Sequence, residues 1–510
     1  MSLLSIHDDH EYFGEWSLPG SGRAVSGQLR CSRDRAELNV NDAFTPLRGT
    51  ISVSDPAQIY PVVHGVSSKG EALTLLKAQS LGVGLKFNSG GMRHPERLVS
   101  SWVVVGAHVA PDTLYSSVRF FIPALEVWLS RPVIAQSFEA PPGGGAFTNT
   151  FVVQPPETES TPASHIEANL EWGSGVTVSA NPFTSIDVKV RGWVAIRPQS
   201  PRTLEWFLDQ QDKLATLLAF MAGAPMPIDA IQASMDQSTA SLAVFVSMRH
   251  VAPCGFKNLH DFFISRGVLG NAFPSIVDLW FREVETVLTP SKLALAVIST
   301  NDLWLHVEFL TLIQALEGFH RGRFSGSYMS ETEYDSVKSI ISSAIPSSIA
   351  SDHRDALRSR IRYGNQISLS KRLNELRDCI GAPLANLIMA TDGKVPRSWI
   401  DTRNYLSHWD KDIQQNALDG QEMYNANVRM EHLLRVLYLL MAGVNPETIL
   451  RCLQNTSRTS QQLVQLNIIA RKAADPSAPS GVLMIIGGPN LAPDTFAANP
   501  SSQTESGGAD

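Results

Sequence analysis

Three side chains in the last quarter of the sequence have the types and spacing that phosphodiester chemistry needs. Arg403, Asn404 and His408 supply a permanent cation, an amide and an imidazole within six residues. A histidine titrates at about pH 6.5, so it can take a proton from an attacking hydroxyl or give one to a leaving oxygen. An arginine can bind two phosphate oxygens and stabilise the charge that builds on them. The set suits cleavage of a phosphodiester without a metal ion, although an Arg-Asn pair near a histidine also occurs without any function.

The relative position of these side chains depends on the secondary structure that carries them. If the segment is helical, Asn404 and His408 are four residues apart and share a face, with Arg403 one position round. Asn404 would then orient the histidine or hold the phosphate.

The first 200 residues have the pattern of β-structure. Apolar and polar residues alternate, as at Ala36, Leu38 and Val40, and Pro and Gly cluster in the connections. Gly192 separates two alternating stretches at a position where a β-bulge would fit. Strands of this kind, with no helical period between them, predict an antiparallel sandwich or barrel.

The pattern becomes helical after Pro201, returns to strand within residues 230–255, and stays helical from about residue 285. Two helix faces illustrate the period. One carries Leu303, Val307, Leu310, Ile313 and Glu317, and the other carries Met423, Asn427, Met430, Leu434, Leu437 and Met441. The predicted fold class is therefore α+β multidomain, with a β-rich N-terminal domain followed by an all-α helical bundle.

We place the domain boundaries where the pattern changes. Residues 1–200 form the β-rich domain, and residues 201–285 form a mixed helical and strand extension at the junction. Residues 286–455 form the all-α domain. Residues 456–510 form a tail, and its Pro, Ser, Gly and Ala content predicts that it is largely disordered after residue 475.

Composition excludes some classes of protein. The 510 residues include 42 Lys and Arg against 49 Asp and Glu, so the net charge of −7 rules out coating nucleic acid through bulk positive charge. Neither a signal peptide nor an apolar run of membrane-spanning length is visible. Cysteines form no close pair, as is typical of a reducing cytoplasm, at Cys31, Cys254, Cys379 and Cys452. We therefore expect a cytoplasmic protein with no membrane partner.

Longer stretches of the chain resemble the ApeA-like HEPN proteins. Arg403-Asn404 with His408 matches the Arg-x4–6-His motif of HEPN ribonucleases, including the asparagine that often follows the arginine. Residues 313–321 (IQALEGFHR) and 370–376 (SKRLNEL) resemble two helices of ApeA-like HEPN domains. Residues 13–19 (FGEWSLP) resemble the start of the ApeA N-terminal domain, and Trp280, Phe281 and Pro290 fit its junction helix. The resemblance runs from residue 10 to about residue 455 in matching order.

The resemblance implies a bacterial antiphage protein whose HEPN domain cuts RNA, with tRNA as a candidate, and arrests the infected cell. In such enzymes the ribose 2′-hydroxyl attacks the adjacent phosphate with no metal and no other cofactor, leaving 2′,3′-cyclic phosphate and 5′-hydroxyl ends. By position, His408 is the acid/base, Arg403 the phosphate clamp and Asn404 the positioning group. The family pairs two motifs across a cleft, so one motif per chain implies a homodimer through the HEPN domain. The N-terminal domain would sense a phage-derived trigger or restrain the nuclease.

Two further sets of charged residues could support the site. Glu317 is a carboxylate on a predicted apolar face, which is costly unless it is paired. It is either a buried partner that fixes Arg403 or His408, or half of a structural salt bridge in the bundle. The sequence leaves both readings open.

A basic helix face is the second set. Arg354, Arg358 and Arg362 recur every four residues, and Lys371 and Arg372 follow closely, so they could form a phosphate track for RNA. Interspersed acids favour an ordinary ion-paired surface instead, namely Asp352, Asp355, Glu375 and Asp378.

Two other functions stay open at this stage. The helical domain could be a non-catalytic HEPN module that binds a nucleotide or a partner, although such domains commonly lack the Arg or the His. It could also be a toxin-like HEPN protein held by a separate partner.

Overall fold

Alternating side chains build the strands of the first half of the chain. On Arg35–Val40, Ala36, Leu38 and Val40 are buried and the residues between them are more exposed, because successive side chains of a strand point to opposite faces. The computed structural model describes residues 3–45, 58–88, 91–139, 147–181, 183–236, 241–247, 255–300, 302–389, 393–455, 457 and 459–474. Cys254 and the predicted disordered tail after residue 475 lie outside these residues.

Nine strands come first in the described part of the chain. They are β1 (His10–Ser17), β2 (Ala24–Ser32), β3 (Arg35–Val40), β4 (Ile59–Ser67), β5 (Ala72–Val83), β6 (Lys86–Asn88), β7 (Gly91–Arg93), β8 (Glu96–Ser100) and β9 (Trp102–Val105). Six of them close into an antiparallel barrel in the order β1–β2–β3–β8–β5–β4 and back to β1. Closure gives each barrel strand a neighbour on both sides and removes open edges. Trp16 on β1 is completely buried and lies so close to Gly65 on β4 that a Cβ there would be 2.3 Å from the indole.

Strand β5 belongs to the barrel and to a second, open sheet. Its residues 73–76 pair with β9, whereas residues 79–83 pair with β8, and the register shifts between Ser80 and Gly82. The following strands and helices are β10 (Leu114–Tyr115), β11 (Ser117–Phe121), α1 (Leu125–Trp128), β12 (Ile134–Glu139), β13 (Thr148–Val153), β14 (Glu159–Ala163), β15 (Ala168–Asn181), β16 (Ser185–Pro198), β17 (Arg202–Thr203), α2 (Leu204–Ala222), β18 (Ala230–Ser234) and β19 (Leu242–Val246). From β9 the open sheet continues as β19–β18–β11–β16–β15–β14.

The predicted β-bulge at Gly192 is wrong. Strands β15 and β16 pair without a break from Ala168↔Pro198 to Asn181↔Ser185. Gly192 instead backs onto α1, where a Cβ would lie 2.5 Å from the backbone nitrogen of Glu126. The position requires glycine because two backbones approach closely there.

The second half of the chain is helical. Its helices are α3 (Arg266–Leu269), α4 (Phe273–Glu283), α5 (Leu288–Ile298), α6 (Leu305–Arg323), α7 (Glu331–Ser343), α8 (Ser351–Arg362), α9 (Leu369–Cys379), α10 (Ala382–Met389), α11 (Arg397–His408), α12 (Gly420–Met441), α13 (Pro446–Gln454) and α14 (Gln461–Ala474). Helix α12 lies at the centre, and its predicted face from Met423 to Met441 is buried throughout. Phe220 on α2 stacks on Tyr438 of α12 at 4.4 Å between ring centroids, so the β-rich and helical halves share a core.

The predicted apolar face of α6 is rotated from the one that is buried. Val307 is exposed and Glu317 is only partly covered. The buried stripe instead consists of Phe309, Leu312, Ile313, Ala315, Leu316, Phe319 and His320. In the part of the chain that the structure describes, no helix has the length and apolar character needed to cross a membrane.

Candidate active site

Helix α11 carries the Arg403-Asn404-His408 motif, in the part of the chain whose sequence pattern predicts helices. The opposite side of the helix holds it in the bundle, since Trp399, Ile400 and Thr402 are buried. The Thr402 hydroxyl donates to the carbonyl of Ser398 at 2.7 Å and accepts from the backbone N–H of Leu418 at 2.8 Å. These contacts fix the rotation of α11 and leave the motif at the surface.

Arg403 lies between an amide and a carboxylate. Its Nη1 donates to Oδ1 of Asn404 at 3.3 Å, and its Nη2 is 3.9 Å from Oε2 of Glu317 on α6. The second distance is too long for a hydrogen bond but short enough for electrostatic attraction. One third of the Arg403 side chain is exposed, so its guanidinium group keeps donors available to a phosphate.

Glu317 makes a contact of each kind that the sequence leaves open: a charge contact with Arg403 and a salt bridge with Arg321. Its Oε1 accepts from Nε and Nη2 of Arg321 at 3.1 and 2.8 Å, one turn further along α6. The carboxylate therefore lies between two guanidinium groups, those of Arg321 and Arg403. It is not buried, since 22% of its side chain is exposed. Arg321 is missing from the predicted site, yet its i, i+4 spacing from Glu317 is a signal that could have found it.

His408 is the last residue of α11 and is exposed. Among the described residues, no hydrogen bond or ion pair engages its ring. Its ring nitrogens are therefore open to hydrogen bonds with a bound molecule. On a helix, His408 neighbours Asn404 at i−4 and Tyr405 at i−3, so the amide and the imidazole lie on one face.

Arg372 does not belong to a surface track, and its predicted role in RNA binding is wrong. Only 1% of it is exposed. It donates to Nδ1 of the buried His320 at 3.0 Å and to the carbonyl of Gly326 at 3.3 Å. Nε2 of His320 lies 2.6 Å from Oε2 of Glu375, so this network joins α6 to α9 behind the site. Burial lowers the pKa of Arg372.

The other predicted track residues lie at or near the surface of α8 and α9. Arg358 is exposed and pairs with Asp355 at 3.2 Å, whereas Arg362 is exposed without a partner among the described residues. Arg354 is half-buried and donates to the carbonyl of Ser347 at 3.4 Å. Lys371 on α9 is exposed and lies over the ring of Tyr328, with Nζ 4.7 Å from the centroid.

One contact links the end of α8 to the motif. Gln366, four residues beyond Arg362, accepts from Nη2 of Arg321 at 3.2 Å through Oε1, and Arg321 holds Glu317. Contacts thus join Glu317 to Arg403 and Arg403 to Asn404, and His408 follows Asn404 by four residues on the same helix. Arg358 and Arg362 lie on α8, and among the described residues no hydrogen bond or ion pair joins them to these four side chains. No cluster of His, Cys, Asp or Glu suited to a metal ion occurs among the described residues.

Two family models match the chain. The model described as Apea-like HEPN matches residues 310–448, which include α6 with Glu317 and α11 with the motif. The model described as ApeA N-terminal domain 1 matches residues 11–280, more than half of the chain, and includes the barrel and the open sheet. No curated protein and no solved structure gives a match. With both models matched in order along one chain, this protein belongs to the ApeA-like HEPN family of antiphage defence proteins.

Proposed function

We propose that the chain is a metal-independent endoribonuclease of antiphage defence that works as a homodimer through its HEPN domain. The observation that carries the proposal is the exposed ring of His408, which has no hydrogen-bond partner among the residues that the structure describes and lies on the same helix as Arg403 and Asn404. An exposed imidazole and a partly exposed guanidinium group on one helix supply the two groups that cleavage of RNA by its own 2′-hydroxyl needs. Membership of the ApeA-like HEPN family supports the same reading.

The proposed reaction is an internal transfer. The 2′-oxygen forms a bond to the adjacent phosphorus while the bond from phosphorus to the 5′-oxygen breaks. The 2′-hydroxyl gives its proton to a neutral His408, and a protonated imidazole gives one to the departing 5′-oxygen. One His408 serves both transfers, since the proton that it takes from the 2′-hydroxyl passes to the departing 5′-oxygen, and the products are a 2′,3′-cyclic phosphate and a 5′-hydroxyl. In the homodimer this His408 works across the shared cleft with the Arg403 of the other protomer.

Arg403 and its neighbours stabilise the charge in this scheme. The Arg403 guanidinium group binds the non-bridging oxygens, whose negative charge grows as the five-coordinate phosphorus forms. Glu317 keeps the guanidinium group in place from 3.9 Å. Asn404 accepts from Arg403 and leaves its NH2 group available to the RNA. The N-terminal domain restrains this activity until a phage-derived trigger is present, and exposed loops such as those of tRNA are the candidate substrates.

The test is incubation of the purified chain with total RNA in EDTA, with and without extract of phage-infected cells, followed by mapping of the fragment ends. We expect wild-type protein to leave 2′,3′-cyclic phosphate and 5′-hydroxyl ends, and Arg403→Ala and His408→Ala to leave RNA intact. Arg397→Ala on the same helix and His260→Ala in the region matched by the N-terminal family model are matched controls, because both residues are exposed and outside the motif.

Two results would contradict the proposal. The first is equal cutting by wild type and His408→Ala, which would identify a contaminating nuclease. The second is intact RNA under every condition together with retained RNA or partner binding. That result would favour a non-catalytic binding module.

A further inference from the structure

Trp409 follows His408 directly and has an unusual backbone and an unusual exposure. It terminates α11 with φ at +53°, in the left-handed region, and its backbone N–H donates to the carbonyl of Tyr405 at 2.7 Å. Glycine usually occupies this position, because a Cβ is unfavourable there. Moreover, 70% of the tryptophan is exposed. Both properties disfavour tryptophan for the isolated fold, so its selection at this position needs another explanation.

Tyr405 braces this indole on the side of the motif. The two ring centroids are 5.8 Å apart with an angle of 70° between the planes, an edge-to-face arrangement that aromatic pairs prefer. Tyr405 is also three residues before His408, so it neighbours both the imidazole and the indole. Since 70% of the tryptophan is exposed, this pair leaves most of the indole surface open, one residue after the proposed proton-transfer group.

We propose that Trp409, braced by Tyr405, is a stacking platform for one unpaired base of the RNA beside the bond that His408 serves. The inference rests on the proposed ribonuclease function and specifies its substrate as single-stranded. Every base has a π-face, so stacking selects unpaired nucleotides without selecting a sequence. A base in a duplex is stacked on its neighbours and cannot reach the indole without being unpaired.

The test measures binding without cleavage. A 2′-O-methyl RNA of single-stranded sequence has no attacking hydroxyl, and 2-aminopurine within it reports stacking through loss of fluorescence. We expect Trp409→Ala to weaken binding about tenfold or more and to abolish the quench, and Trp409→Phe to restore most of both. The matched control is Trp304→Ala, because Trp304 is also highly exposed, at 81%. It lies directly before α6 and is outside the Arg403-Asn404-His408 motif.

The Trp409→Gly variant distinguishes an effect on RNA binding from an effect on the stability of the fold. Glycine relieves the left-handed backbone, so we expect a melting temperature equal to or above that of wild type, together with the weakened RNA binding of Trp409→Ala. Unchanged RNA affinity in Trp409→Gly would overturn the inference. So would a Trp409→Gly variant that changes from dimer to monomer while its RNA affinity is retained, because the indole would then serve a subunit contact.

The same assays keep the two proposals apart. If wild type cuts RNA and the Trp409 variants bind and cut equally well, the proposed ribonuclease function is supported and the stacking platform is overturned. If wild type binds RNA with Trp409-dependent quenching but never cuts it, stacking on Trp409 is supported and the proposed ribonuclease function is overturned. If wild type does not bind the single-stranded RNA at all, the platform is overturned whatever the cleavage result.

Discussion

At the scale of single residues, the site depends on how one carboxylate is shared. Glu317 pairs with Arg321 at hydrogen-bond distance and attracts Arg403 from 3.9 Å. The helix that carries Arg403, Asn404 and His408 follows from the helical pattern of this part of the sequence, whereas their catalytic role stays a prediction that rests on the family resemblance. The contact of Glu317 with Arg403 joins α6 to α11 and depends on how those helices pack. Arg372 looks like a surface residue in the sequence but is buried. It is held there by His320 and the carbonyl of Gly326, which are distant in sequence, so no local pattern reveals these contacts.

Neutralising Glu317 should lower catalysis more than substrate binding. In Glu317→Gln the attraction that orients Arg403 is lost, so we expect kcat for RNA cleavage to fall about tenfold, equivalent to about 1.4 kcal/mol of transition-state stabilisation, with KM nearly unchanged. Single-turnover kinetics on a defined RNA measure both. Arg321→Gln is the matched variant, because it removes the other partner of Glu317 and spares the motif. An equal loss in Arg321→Gln would mean that Glu317 acts only as a structural salt bridge.

His432 on α12 should make the fold sensitive to mild acid. It is buried and accepts from Nη1 of Arg435 at 3.3 Å, and burial together with Arg435 and Arg429 holds its pKa well below the usual value. As the pH falls below about 6.5, the unfolded chain binds a proton there before the folded chain does, so the free energy of unfolding decreases.

We therefore expect the melting temperature to drop between pH 7.5 and pH 5.5, and to drop less in His432→Gln. The exposed His353→Gln variant should follow wild type. The same acid loss in His432→Gln as in wild type would show that other groups control this transition.

At the scale of elements, the helices and strands were largely predictable but their orientation was not. The strands within residues 230–255 and the helix of the motif follow their predicted patterns. Helix α6 is apolar on two sides, and packing against α5 and α12 decides which side is buried. Helix α14 lies in the segment predicted as tail, where Leu463 is buried and Asn467 bonds Arg429 of α12. These tertiary contacts stabilise the helix, and the spacing of apolar residues in the sequence does not reveal them.

Helix α8 should contribute to RNA binding through charge alone. Replacing Arg358 and Arg362 by alanine removes two exposed cations, so we expect weaker binding and a salt dependence whose slope falls by about 1.4, or 0.7 per phosphate contact on a single strand. Fluorescence anisotropy over a salt series measures the slope. The exposed barrel arginines Arg30 and Arg97 provide the matched double variant. Equal slopes in both double variants would remove α8 from the RNA surface.

At the scale of the whole molecule, one motif per chain makes the oligomeric state part of the mechanism. If the proposed cleft is shared between two protomers, a dimer with Arg403→Ala in one chain and His408→Ala in the other still holds one intact clamp and one intact acid/base. We expect a mixture of the two inactive variants to recover severalfold more cleavage than either alone.

The mixing experiment needs one control for subunit exchange. The two variants should be co-expressed with different tags and purified through both, so that only mixed dimers are assayed, and their mass measured by light scattering. A pure mixed dimer as inactive as its parents would mean that each chain works with its own complete site. A monomeric mass for fully active wild type would exclude the shared cleft altogether.

Strand β5 has a consequence for how the first half of the protein opens. The same twelve-residue strand closes the barrel against β8 and starts the open sheet against β9. Unfolding of β5 as a whole would break hydrogen bonds in both assemblies, so we expect the barrel and the open sheet to open as one cooperative unit in hydrogen exchange. The family model that matches residues 11–280 covers both assemblies.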